Sequence, residues 1–193
     1  DVERSRGLGD VYKRQEYGGI TLEFTDHVAD SIRQMKVDIG LGDTSATVDV
    51  ELMMALLSMK QFRLLSAYGG KTAIRQAQQA INRGYKNYTG IIPTDGLYGR
   101  EMNTALIQVL QAIEGYTPAE ATGNFGAGTR SKLRTISSGT NQWVWLATVS
   151  LVCNGYSILP TSTWNSEISN TLWQFQQAHA LPVTGVVDPT TWM

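Results

Sequence analysis

Apolar positions along this chain fall at helical intervals, and the same interval pattern is written three times. The segments 97–111 (LYGREMNTALIQVLQ), 163–177 (TWNSEISNTLWQFQQ) and 23–37 (EFTDHVADSIRQMKV) align without gaps. Tyr98, Trp164 and Phe24 then share a column, as do Met102, Ile168 and Val28. Leu106, Leu172 and Ile32 form the next column, and Val109, Phe175 and Met35 the last. Steps of four, four and three residues place these positions on one face of a helix. Each helix is entered through a turn rich in Asp, Asn, Ser, Thr or Gly, the residues that cap helix N-termini. The Phe24, Tyr98 and Trp164 column reads as core, because apolar periodicity marks the buried face.

A second shared piece follows each of these helices. The segments 121–133, 182–193 and 43–57 align at Phe125, Val187 and Val48. Each reads as a small-residue turn, one buried apolar residue, a cap such as Asp49 or Asp188, and a short helix. Pro189 stands at the start of its helix, where a missing N–H costs least. Upstream of the second and third copies lies a further helix. In 72–84 it puts Ile74, Ala77 and Ile81 on one side, with Gly84 as the expected C-cap. In 142–155 it ends at Asn154-Gly155 and is apolar on nearly all sides, which predicts packing against a neighbouring unit as well as its own.

The pattern therefore predicts an all-α fold of tandem small three-helix units, the first truncated at its N-terminus and the last at its C-terminus. The expected divisions are 16–65, a partial repeat holding helices two and three; 70–136, a complete repeat; and 140–193, ending within its closing helix. Gly- and Ser-rich stretches at 66–71 and 137–141 mark the boundaries. Units of roughly 60 residues have marginal cores alone, so stacking between neighbours is expected.

Composition narrows the function. Apolar residues make up 42% and charged residues 17%, a globular balance. A net charge of −1 gives no footprint for nucleic acid. The longest apolar run, near Trp143 to Cys153, is too short and interrupted to insert in a membrane. One cysteine allows no disulfide framework.

The order of motifs resembles the peptidoglycan-binding-like domain, a three-helix cell-wall module. Asp95, Gly96, Tyr98 and Gly99 match its Asp-Gly-x-aromatic-Gly element, and WQFQQAHALPVTGVVDPTTW matches its helix end, turn and closing helix. The third unit departs from it with TSTWN in place of Asp-Gly, and the first matches weakly. The resemblance covers about residues 23–193. It implies a non-catalytic array that binds peptidoglycan glycan or stem peptide outside the cell, associated with the cell wall. Tandem copies of this kind also resemble those preceding a glycoside-hydrolase-like domain, which would make this chain a piece of a larger protein.

The residues offer little chemistry of their own. His27 and His179 lack metal-ligand spacing, and Cys153 has no paired His motif, so no metal, cofactor or nucleophile is expected. Asp95, Glu101, Glu114 and Glu120 form no facing carboxylate pair for glycoside hydrolysis. The candidate ligand-binding residues are Asp95, Tyr98, Asn124, Arg130, Tyr85 and Trp192. Asp95, Asn124 and Arg130 would hydrogen-bond a muramoyl peptide or glycan from one rim, although caps and turns explain them almost as well. Tyr85 sits in the loop expected after the first helix, on the same side. Trp192 aligns with Met53 and Arg130 rather than an apolar column, which leaves it free to be exposed. The competing expectation is a structural spacer array that positions a downstream catalytic domain and binds nothing.

The stretch SRGLGDVYKRQ at 5–15 has no apolar period of either kind. Back-translated, it resembles a transposase sequencing adapter read in one frame. Residues 1–15 are therefore expected to be a non-native, disordered segment, with the reading frame cut near Glu16 before the first unit's opening helix and any secretion signal. A native basic arm or a linker are the alternatives.

Overall fold

A computed structural model describes residues 22–193; the adapter reading of 1–15 lies outside the described residues. Eight α-helices and no β-strand are found among them, in the order α1 Asp26–Ile39, α2 Val50–Leu57, α3 Thr72–Thr89, α4 Arg100–Ile113, α5 Ala127–Ser131, α6 Gln142–Cys153, α7 Ser166–Ala178 and α8 Pro189–Trp192. A 3₁₀ turn at Ser66–Tyr68 precedes α3.

Side chains start five of these helices as polar caps. Thr25, Asp49, Asn141, Asn165 and Asp188 each accept a hydrogen bond from a backbone N–H in the first turn of the helix that follows. Helix α4 differs: Gly99 precedes it without a side-chain cap, and Asp95 serves the turn instead. The expected C-cap at Gly84 is also displaced, because α3 runs on to Thr89 and ends at Gly90. A helical Gly costs only about 1 kcal/mol, and contacts on both sides of Gly84 offset it. Asn82 is fully buried, donating to the Ile39 and Ile92 carbonyls and accepting from the Ile92 N–H. Beyond Gly84, Tyr85 stacks on Trp145 and Lys86 pairs with Glu51.

One continuous core runs from Ile74 on α3 to Val187 before α8. Met102, Leu106 and Val109 from α4 meet Val144, Leu146 and Leu151 from α6, and Ile168 and Leu172 from α7 complete it. Helix α6 is the hub: it packs on α3, α4 and α7, and eight of its side chains are buried. That accounts for its apolar character all round. The chain from α3 to α8 is thus a single packed body rather than a string of separate bundles. A smaller core of Ile32, Ile39, Leu41, Leu52 and Ala55 joins α1 to α2.

The joint between α1 and α3 is polar. Gln79 donates to the Val37 and Asp38 carbonyls, Thr94 to the Asp38 carbonyl, and Arg75 to both the Asp38 carboxylate and the Phe62 carbonyl. Gly40, at φ 87°, lets α1 end against the α3 backbone, since a Cβ there would lie 2.5 Å from Gln79 Cα.

The column of Phe24, Tyr98 and Trp164 lies outside the helices. Each residue comes immediately before the helix N-cap, the position from which a side chain packs onto the first turn. Phe24 is 66% and Tyr98 42% exposed, and Trp164 is half-buried against the main core. Val48 is likewise exposed, whereas its counterparts Phe125 and Val187 are packed in the core.

Candidate functional site

Three long polar side chains near helix C-termini set the turns around the candidate site. Gln176, fully buried, donates to Thr184 Oγ1, the Val186 carbonyl and Thr191 Oγ1, and accepts from the N–H groups of Thr184 and Gly185. Gln111 does the same on α4, donating to the Asn124 carbonyl and Thr129 Oγ1 and accepting from Gly123 N–H. On α1 the place is taken by Lys36, whose buried ammonium reaches Asp43 at 2.5 Å and Ser45 at 3.1 Å. Lys36, with the Ser45 N–H and hydroxyl, holds the Asp43 carboxyl down at about 2. Each brace ties a returning loop to its helix and so fixes the rim that the loop presents.

A comparable brace precedes α4. Gln78 donates to Asp95 Oδ1 and the Leu97 carbonyl and accepts from Gly96 N–H, while Asp95 Oδ1 also accepts from Leu97 N–H. In α6 the buried Thr148 plays this part, exchanging hydrogen bonds with Thr161.

Between α4, α6, α7 and the α8 turn lies an open cleft of about 440 Å³. Tyr98, Asn103 and Ile107 form one wall, and Ser150, Asn154 and Phe175 the other. Phe125 and Trp192 also line it. The Tyr98 hydroxyl donates to Asn103 Oδ1 at 3.0 Å, and burial raises its pKa above the ordinary phenol value. Asn154 Nδ2 donates to the Ser150 carbonyl at 2.8 Å.

The six candidate residues divide about this cleft. Tyr98 and Trp192 line it. Trp192 is half-buried, edge-on to Trp143 at 5.9 Å, with its indole N–H donated to the Arg134 carbonyl. Arg130 sits over the Phe125 ring, 5.4 Å from its centroid, and is not part of the cleft wall. Asp95 is engaged in the turn brace, and the Asn124 backbone is held by Gln111 and Thr122. Tyr85 lies within α3 rather than in a loop, stacked on Trp145. Two of the six candidate residues thus line the cleft, and the other four do not. Asn103 and Ser150 were not singled out by sequence, and Asn154 only as the end of its helix. Their only signal is that they are neutral polar residues, Asn103 and Ser150 within helices and Asn154 at a helix end, beside apolar neighbours.

A second cavity, of about 350 Å³, lies beside α2 between Met54, Phe62, Ile91 and the Glu51–Lys86 pair. No group of three or more His, Cys, Asp or Glu among the described residues is placed to hold a metal ion. Among them, no helix is long and apolar enough to cross a membrane. The Cys153 thiol, half-buried on α6, is pushed up to about 12 by burial.

Residues 67–193 match the family described as FadG/YbfG, PGDB-like domain. The chain is 37% identical over 179 residues to the uncharacterized protein YbfG of Bacillus subtilis (strain 168), covering 90% of this chain and 24% of YbfG. It is 29% identical over 181 residues to the uncharacterized protein FadG of the same strain, covering 91% of this chain and 31% of FadG. This chain therefore spans about a quarter to a third of these relatives. No solved structure matches it.

Proposed function

This chain belongs to the FadG/YbfG, PGDB-like domain family, and we propose that it is a non-catalytic cell-wall-binding array. In this reading its repeats are peptidoglycan-binding-like units, and they hold a larger extracellular protein, with a glycoside-hydrolase-like domain beyond this segment, on the wall. The observation that carries the reading is the open cleft rimmed by Tyr98, Phe125, Phe175 and Trp192. Its aromatic side chains and few neutral polar groups are the composition of a sugar-binding surface. Avidity among weak sites linked in one chain supplies retention that no single site needs to provide.

A second reading applies to α1 and α2. Their joint to α3 is a dense set of side-chain-to-backbone hydrogen bonds, and the cavity beside α2 is lined by Met54, Phe62, Ile91 and the charged Glu51 and Lys86 rather than by several aromatic rings and neutral amides. This portion acts as a rigid spacer. The test is to incubate the dye-labelled chain with isolated sacculi and with cellulose particles. Decoration of sacculi above the cellulose background supports the array; equal labelling of both refutes it.

A further inference from the structure

We infer that the cleft between α4 and α6–α8 is a composite site, built by two successive repeats, for the uncharged N-acetylated glycan of the wall and not for its stem peptide. The inference rests on the cell-wall reading above. It differs from a site on the rim of each unit, because neither repeat encloses the cleft alone.

The first observation is the origin of the walls. Tyr98, Asn103 and Phe125 come from the segment assigned to one repeat, and Ser150, Phe175 and Trp192 from the segment assigned to the next. Helix α6 joins the two, since its buried face seals the core of the first repeat while Ser150 and Asn154 look onto the cleft. The shared core between them holds the two walls at a fixed separation.

The second observation is charge. None of the side chains lining the cleft is Asp, Glu, Lys, Arg or His. A stem peptide carries free carboxylates, and burying them against Leu106, Ile107 and Phe175 without a cation costs several kcal/mol per ion. A sugar ring has no charge. Its C–H face stacks on aromatic rings while its substituents need only neutral partners.

The third observation is which polar atoms remain unspent. Asn103 Oδ1 already accepts from the Tyr98 hydroxyl, so that amide offers its N–H₂ as a donor. Asn154 Nδ2 already donates to the Ser150 carbonyl, so that amide offers its Oδ1 as an acceptor. One oriented donor and one oriented acceptor are what an acetamide requires, its carbonyl accepting and its N–H donating. A plain hydroxylated sugar has no such fixed pair. The volume of about 440 Å³ also lies within the roughly 300–1,000 Å³ of small-ligand sites.

The test uses the full chain, with isothermal calorimetry and amide-resolved NMR, against N-acetylglucosamine tetramer, cellotetraose and the tripeptide L-alanyl-γ-D-glutamyl-L-lysine. The N-acetylated tetramer is expected to bind and to shift the amides of Asn103 and Ser150, with cellotetraose weaker and the peptide silent. Asn103→Ala, an exposed position on α4, should weaken the tetramer about five- to tenfold. Ser150→Trp, which fills the cleft, should abolish binding. Thermal melts check that both variants are folded. Equal affinity for cellotetraose, or peptide binding displaced by the tetramer, overturns the inference. So does wild-type affinity in both variants. Pelleting of the chain with intact sacculi separates the two levels. Sacculus binding without tetramer binding overturns the cleft and leaves the array. Tetramer binding without sacculus binding keeps the cleft and removes the array, and loss of both removes both.

Discussion

Replacing Gln176 with Leu isolates what a buried amide contributes to this fold. The two side chains are similar in size, so the change removes hydrogen bonds with little loss of packing. Five groups lose Gln176: the Thr184 and Gly185 N–H groups, the Thr184 and Thr191 hydroxyls and the Val186 carbonyl. Thr184 is exposed and turns to water, and Thr191 keeps its bond to Asp188. Gly185 is buried, so its N–H is stranded, and the Val186 carbonyl loses a 2.9 Å donor. At about 1–3 kcal/mol for each of these two groups, Gln176→Leu should cost about 2–6 kcal/mol. That is a large part of a typical stability of about 5–15 kcal/mol. Urea denaturation should show a lower midpoint at unchanged slope, and hydrogen exchange at Gly185 should accelerate. The neighbouring Gln177, exposed on the same helix, is the control, and its change to Leu should stay within about 0.5 kcal/mol of the parent. Equal costs for the two substitutions would refute the brace.

Three further outcomes follow from the same geometry. Gly40→Ala and Gly115→Ala both place Ala at a φ near 90°, but only at Gly40 does the new Cβ meet backbone, 2.5 Å from Gln79 Cα. Gly115→Ala should cost about 1–2 kcal/mol and Gly40→Ala clearly more, read by denaturation; equal losses would show that α1 does not dock closely on α3. Glu114 has both carboxylate oxygens shut off from water without a hydrogen-bond partner, and burial, partly offset by Lys132, lifts its pKa to about 7. The unfolded chain ionises this group near 4.5 while the folded chain keeps it neutral, so its destabilising effect grows as pH rises from 4.5 to 7. Glu114→Gln should therefore raise the melting temperature at pH 8 and leave it nearly unchanged at pH 4. Asp43 shifts the other way: its pairing with Lys36 adds stability that is complete above the ordinary carboxyl range and lost as pH falls from 3.8 toward 2. In Lys36→Met the NMR titration of Asp43 should return toward its ordinary value, and an unmoved midpoint would show that Lys36 is not its main partner.

Much of the helical layout was legible because helices announce themselves through period and caps. The core positions Met102, Leu106, Ile168 and Leu172 were read from spacing alone, as were the caps Asp49 and Asp188. The hub role of α6 followed from an apolar helix with no polar face. What the pattern could not reveal depends on partners distant in sequence. The apolar columns pair Gln176 with Leu110, yet its hydrogen bonds make Gln111 its counterpart, one residue later in a helix one residue longer. A buried amide looks like a surface amide until the loop that it braces is in place. Phe24, Tyr98 and Trp164 kept the column without the helix, because a residue before the cap continues an apolar spacing; Phe24 and Tyr98 are exposed there, while Trp164 stays packed on the main core. The candidate site was legible only in pieces. Tyr98 and Trp192 were named, but the cleft arises where two segments of the pattern meet, and Asn103, Ser150 and Asn154 acquire meaning only there.

The most direct test of cell-wall binding is a sedimentation isotherm of the full chain against increasing amounts of purified sacculi at low salt. The account predicts a saturable rise in the pelleted fraction that Ser150→Trp diminishes. A chain that stays in the supernatant at every sacculus concentration contradicts it.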